Sequence, residues 1–145
     1  MIHYAGIFFE DESEELIQKL EKNKLDTVHD KLHCTFKYEP VDESIYDEIV
    51  GKEFEVTLIG YGSNKENSGF EIIIPEELRE YYGNPNGVAH ITASISNDGK
   101  AANTSKLVFK KLDEPIKVKG RFGYWMVEDD KEYLSYEKYS KGKSL

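Results

Sequence analysis

Apolar and polar residues alternate with a period of two along several short stretches, and this alternation is the chain's dominant pattern. Successive strand side chains point to opposite faces, so residues i and i+2 share a face. Residues 4–9 read as a first strand. Within 32–38, Leu32, Cys34 and Phe36 form an apolar stripe, with His33 and Thr35 on the other side. Residues 88–96 repeat the arrangement, with Ala89, Ile91 and Ala93 on one face and His90, Thr92 and Ser94 on the other. Residues 54–61 and 69–74 predict a hairpin around the polar run 62–68, and 116–122 and 124–127 close the sheet. Helical signals are fewer. Ser13 precedes the amphipathic run 14–20 as an N-cap. Residues 42–50 predict a short helix ended by Gly51, and 76–82 a helical turn before an Asn-Pro-Asn-Gly loop at 84–87. Residues 97–104 read as a polar loop. Short strands with few helices predict an α+β fold.

The two strands with a polar stripe carry the candidate chemistry. His33-Cys34-Thr35 and His90-Ile91-Thr92 use two of only four histidines, the others being His3 and His29. If the strands lie side by side, two imidazoles and two hydroxyls meet in one groove. Phosphodiester hydrolysis needs an acceptor for the proton of water, a donor for the leaving alkoxide and donors to the phosphoryl oxygens. Histidine titrates near neutral pH, so one ring can work neutral and the other protonated. Thr35 and Thr92 can donate to the non-bridging oxygens. The plainer reading stays open, in which two half-buried strand histidines neighbour threonines because threonine favours strands. Neither motif contains a carboxylate, so neither a metal nor any other cofactor is expected. A His29–His33 metal pair is set aside because Asp30-Lys31 between them reads as loop. Cys34 alternates away from its neighbours and reads as a packed core thiol. His3, near the terminus, is expected to be solvent-exposed. Tyr124 and Trp125 read either as rings that stack on a nucleobase or as core aromatics.

Leu32-His33-Cys34-Thr35-Phe36-Lys37-Tyr38 and Ala89-His90-Ile91-Thr92 resemble the paired H-x-T motifs of the 2H phosphoesterase superfamily. Within it the chain is similar to the catalytic domains of the 2′,3′-cyclic-nucleotide 3′-phosphodiesterases. The likeness extends to Tyr4-Ala5-Gly6-Ile7-Phe8-Phe9 at the start and to Gly123-Tyr124-Trp125-Met126-Val127 and Tyr139-Ser140-Lys141-Gly142-Lys143 near the end. The resemblance implies two lobes of mostly antiparallel sheet around a central cleft, with helices outside and one motif from each lobe. It implies a metal-independent enzyme opening 2′,3′-cyclic nucleotides or RNA ends to 2′-phosphates, with His33, Thr35, His90 and Thr92 catalytic. His90 would activate water and His33 protonate the leaving 3′ oxygen. Tyr4 would line the base pocket, and Lys100, Ala101, Ala102, Asn103 and Tyr124 would contact substrate. The chain departs from the family at Val88, where the family has Arg, and at Ala101-Ala102-Asn103, where it has Pro-Val-Gln. These departures leave the substrate open between cyclic nucleotides, 2′-5′ oligoadenylates and cyclic dinucleotides. A binding module that holds nucleotides without turnover is the reading from another class.

Composition narrows the picture. The 145 residues suit a single domain spanning 1–145. A net charge of −9 argues against an extended nucleic-acid surface. The segment 100–121 is nevertheless basic, with Lys100, Lys106, Lys110, Lys111, Lys117, Lys119 and Arg121 against Asp113 and Glu114. It reads either as a patch steering an anionic substrate or as a solvated face balancing acidic stretches. One cysteine leaves no disulfide framework. No apolar run is long enough to span a bilayer and no secretory signal is evident, so a cytoplasmic monomer acting on a small nucleotide or RNA end is expected, with no membrane partner.

Overall fold

The computed structural model describes residues 1–28, 31–83 and 88–139. His29, the expected 84–87 loop and the 140–145 tail lie outside the described residues. The elements run β1 (Ile2–Phe8), α1 (Asp11–Leu20), β2 (Thr27–Val28), β3 (His33–Tyr38), β4 (Glu53–Ser63), β5 (Asn67–Ile73), β6 (His90–Ile95), β7 (Lys110–Glu128) and β8 (Lys131–Ser135). Among the described residues, 3-10 helices join them at Glu43–Tyr46, Glu76–Tyr81 and Ala101–Lys106. The protein is α+β. Its strands form one sheet in the order β2-β6-β5-β4-β7-β1-β3, with β8 also paired to β7. Every pairing among the described residues is antiparallel.

Alternation decides which side of each strand faces the interior. Ala5 and Ile7 of β1, Cys34 and Phe36 of β3, Val56 and Leu58 of β4, Phe70 and Ile72 of β5, Ile91 and Ala93 of β6, and Phe122 and Tyr124 of β7 all belong to one hydrophobic cluster. α1 adds Ile17 to it. The sheet curls round this cluster until edge strand β3 comes alongside β6 without forming a ladder with it. At that near-closure the backbone N–H of His90 hydrogen-bonds to the Cys34 thiol. Cys34 is a fully buried free thiol, as its alternation predicts, and burial pushes its pKa up to about 12. It behaves as a core group rather than a nucleophile.

Several boundaries differ from the sequence reading for identifiable reasons. The helix starts at Asp11, not after Ser13, with Asp11, Glu12 and Glu14 in its first turn. Acidic side chains there complement the helix dipole. The β4–β5 hairpin is longer than expected, because Asn64 Oδ1 accepts from the N–H groups of Glu66 and Asn67 and tightens the turn to a few residues. The polar loop expected at 97–104 runs from Ala101 into a 3-10 helix, Ala101–Lys106. Residues 116–122 and 124–127 are parts of one strand, β7, which runs through Gly123. The unforeseen β7–β8 turn uses Asp129 and Asp130, both at positive φ (46° and 65°). Aspartate tolerates that region, and a two-residue hairpin turn of this hand requires it.

Gly69 of β5 lies opposite Thr92 of β6. A Cβ at Gly69 would sit 2.5 Å from the Ile91 carbonyl oxygen and 2.6 Å from Thr104 Cγ2. Only a glycine lets the Ala101–Lys106 helix settle onto the sheet here. Gly69→Ala is therefore expected to destabilise the fold by about 1–3 kcal/mol through overpacking, read as a lowered urea midpoint. An unchanged midpoint would show that the helix is not seated on this residue.

Candidate active site

His33 and Thr35 of β3 and His90 and Thr92 of β6 all line one cavity of about 910 Å³. The remaining walls among the described residues are His3, Tyr4, Lys37, Tyr38, Gly83, Ala101, Ala102, Asn103, Ser105 and Lys106. No Asp or Glu is among them. The cavity opens on the face of β3 and β6 opposite the hydrophobic cluster, where His33, Thr35, His90 and Thr92 point; Ser94, expected on the same face, lies past the bulge at Ala93 and is buried against Leu25 and Glu21 instead.

The two motifs share two local devices. In each, the imidazole Nδ1–H donates to the carbonyl two residues upstream: His33 to Lys31 at 2.9 Å and His90 to Val88 at 2.9 Å. A carbonyl can only accept, so this bond puts the proton on Nδ1 of each neutral ring. Each strand also shifts register beside its threonine. Phe36 has no partner on β1, where pairing passes from Ala5–Lys37 to Gly6–Thr35. Ala93 has none on β5, where it passes from Ser68–Ser94 to Gly69–Thr92. Bulges of this kind bend a strand and re-aim its side chains.

The surroundings of the two rings differ. His33 stacks on Tyr4 with centroids 4.7 Å apart and lies 5.5 Å from Phe8. Trp125 backs both aromatics at 6.3 Å. Phe8 is fully buried yet lies outside the main hydrophobic cluster, since its role is to floor this side. Tyr4 therefore supports His33 as much as it lines the cavity. Its hydroxyl is held well above its ordinary pKa by burial and by the nearby Glu132. His90 is desolvated. Burial lowers its pKa below the ordinary 6.5, only partly opposed by its bond to Val88.

The threonines are not equivalent either. The Thr35 hydroxyl has no hydrogen-bond partner among the described residues. The Thr92 hydroxyl donates to Thr104 Oγ1 at 2.8 Å and lies 3.3 Å from the Ala101 carbonyl. Fully buried Asn67 donates from Nδ2 to the same Thr104 oxygen at 3.0 Å and to the Lys100 carbonyl at 2.8 Å. This network pins the Ala101–Lys106 helix to β5 and β6, and so holds Ala101, Ala102, Asn103 and Ser105 at the cavity wall. Asn67 and Thr104 carry no signal in the sequence, because their role depends on a 3-10 helix that the polar composition of 97–104 did not announce.

Other expected site residues lie elsewhere. Tyr124 is fully buried among the core aromatics, and its hydroxyl donates to the Glu43 carbonyl at 3.3 Å. It shares the inward face of β7 with Phe122 and Met126, so it does not reach the cavity. Trp125 faces the other way but lies beneath Tyr4 and Phe8, with its indole N–H donating to Glu132 at 3.2 Å. Lys100 caps the 3-10 helix and does not line the cavity. His3 is half-buried rather than exposed, its ring 4.7 Å edge-on from Tyr38 at the cavity wall. Of the basic segment only Lys106 reaches the cavity. Lys117 and Arg121 on β7 instead lie 3.9 Å and 4.0 Å from Glu55 and Glu53 of β4, as a solvated, balanced face does.

The lowered pKa of His90 has a measurable consequence. Its imidazole should titrate below pH 6.5, with the proton on Nδ1 in the neutral ring, as read from the ring ¹⁵N shifts. Between 6.5 and that lower value the unfolded chain binds the proton first, so this residue's contribution to stability falls as pH drops through that window. A His90 midpoint above 6.5 would contradict the burial described here.

No family model matches the chain, and no curated protein matches it.

Proposed function

We propose that this protein is a metal-independent phosphodiesterase that opens 2′,3′-cyclic phosphates to 2′-phosphates. The carrying observation is that His33 and His90 line one cavity with their Nδ1 atoms tied to backbone carbonyls in the same way. A cavity whose described walls offer three imidazoles, hydroxyls and lysines but no carboxylate suits a phosphate handled by proton transfer. The sheet supports the two-lobed 2H reading: β2-β6-β5-β4 on one side of the β4–β7 pairing and β7-β1-β3 on the other each lend one motif strand.

In the proposed reaction His90, neutral at neutral pH because its pKa is lowered, takes a proton from water through Nε2. The water oxygen forms a bond to phosphorus, the P–O3′ bond breaks, and His33 in its protonated form gives its Nε2 proton to the departing 3′ oxygen. Exchange with solvent resets both rings. Thr35 donates to a phosphoryl oxygen from an unengaged hydroxyl. Thr92 does so only if its hydroxyl turns away from Thr104, so its larger part is to hold the cavity wall.

Hydrolysis of 2′,3′-cyclic AMP to the 2′-phosphate should survive EDTA. His33→Ala and His90→Ala should each lower kcat by at least ~100-fold, the scale of a lost general acid or base. A substrate with a good leaving group should partly rescue His33→Ala and not His90→Ala. Thr35→Val should cost more in kcat than Thr92→Val, up to about 3–4 kcal/mol. Running 2′-5′ diadenylate and a 3′,3′ cyclic dinucleotide alongside identifies the preferred diester. Folded histidine variants with full activity, or activity lost to EDTA and restored by a divalent ion, would overturn the mechanism. Binding of these nucleotides without any turnover would leave a binding module instead.

A further inference from the structure

One strand carries a third polar side chain on the cavity side. Lys37 lies past the bulge at Phe36, which breaks the alternation, and it lines the cavity together with His33 and Thr35. Lys37 lies two residues beyond Thr35, and its long stem lets the ammonium reach a second phosphate separated from the first by one sugar. The Lys37 side chain is laid in place by the facing backbone. The Gly83 N–H donates to the Phe36 carbonyl at 2.9 Å, and a Cβ on Gly83 would come within 3.1 Å of Lys37 Cδ. The lysine stem thus runs along a glycine backbone, with its ammonium free to extend into the cavity.

The charge at this end is unusual for the chain. There are 28 acidic and 19 basic residues, yet Lys37 has no ion-pair partner among the described residues. An unneutralised cation in a cavity without described carboxylates selects an anion. The cavity, at about 910 Å³, lies toward the upper end of the ~300–1,000 Å³ usual for small-molecule sites. It has room beyond one nucleoside phosphate. Tyr38, 57 % exposed, lies next along β3 at the same end, its ring edge-on to His3.

We propose that Lys37 forms a second phosphate subsite. The ligand is then a nucleotide bearing a further phosphate one sugar away from the diester held by His33, Thr35 and His90. This rests on the reading of that centre as a phosphate site. The ammonium acts as a point charge on the second phosphate, which is either a terminal 5′-phosphate or the next internucleotide linkage.

Equilibrium binding tests this without turnover. By calorimetry at low salt, the wild type should bind adenosine 2′,5′-bisphosphate at least ~10-fold tighter than adenosine 2′-monophosphate, the scale of a charge-assisted hydrogen bond. K37Q should reduce that preference to below ~3-fold and K37R should retain most of it, since a charge rather than the stem is responsible. The preference should also weaken with added salt. A diadenosine ligand carrying the 2′-phosphate on its 3′-terminal nucleoside separates the two sources: tighter binding than the bisphosphate identifies an internucleotide linkage, weaker binding a terminal phosphate. Equal wild-type affinity for the two adenosine phosphates, a preference intact in K37Q, or one erased by K106Q instead would overturn the assignment. A preference without hydrolysis of 2′,3′-cyclic AMP would overturn the proposed enzyme and leave the subsite standing. Hydrolysis without a preference would do the reverse.

Discussion

The approach of β3 to β6 is the contact on which the rest of the structure depends. These strands do not exchange a backbone ladder. They meet because their inward faces, Cys34 and Phe36 on one and Ile91 and Ala93 on the other, bury into the same cluster. Burial of this kind is non-directional and scales with area, so by itself it would tolerate sliding. The bond from the His90 N–H to the Cys34 sulfur adds direction at the point where the sheet nearly closes. A thiol fits here because it is small, apolar and a weak acceptor. The same meeting turns both polar stripes toward one space on the opposite face.

The symmetry of the two motifs is local, and their differences come from what lies behind each. Both rings are oriented by a carbonyl two residues upstream, a bond available to a strand histidine from its own chain. Beyond that bond, His33 rests on Tyr4 and Phe8 while His90 is desolvated at the near-closure. Burial at the near-closure lowers the proton affinity of His90. The threonines diverge for a similar reason. Thr92 faces a 3-10 helix that its hydroxyl, Thr104 and Asn67 tie down, and Thr35 faces open cavity.

Charge is arranged against the chain's overall balance. The acidic majority lies away from the cavity, and much of the basic β7 stripe is met across the sheet by Glu53 and Glu55. What remains toward the cavity among the described residues is cationic or neutral. Focusing of this kind draws small anions into a cleft without making the whole surface attractive to polyanions.

The sequence by itself determined the strands that matter and the direction of their side chains. Period-two alternation is a property of backbone geometry, so the inward Cys34 and the shared face of His33 with Thr35, and of His90 with Thr92, were legible without knowing any neighbour. The α+β class followed from the same pattern. Lys37 was not legible in that pattern, because the bulge at Phe36 that interrupts it is set by pairing with β1. Tertiary structure alone decided the contacts between distant segments. Tyr124 and Trp125 are adjacent aromatics, and which one faced the core depended on the strands that flank β7. The single strand running through Gly123 depended on pairing across its whole length. Asn67, Thr104 and Gly69 matter only because a short 3-10 helix folds back onto the sheet there, and a helix of one or two turns is specified by what it packs on rather than by its own composition. The lowered pKa of His90 is likewise a matter of burial, which no local pattern encodes.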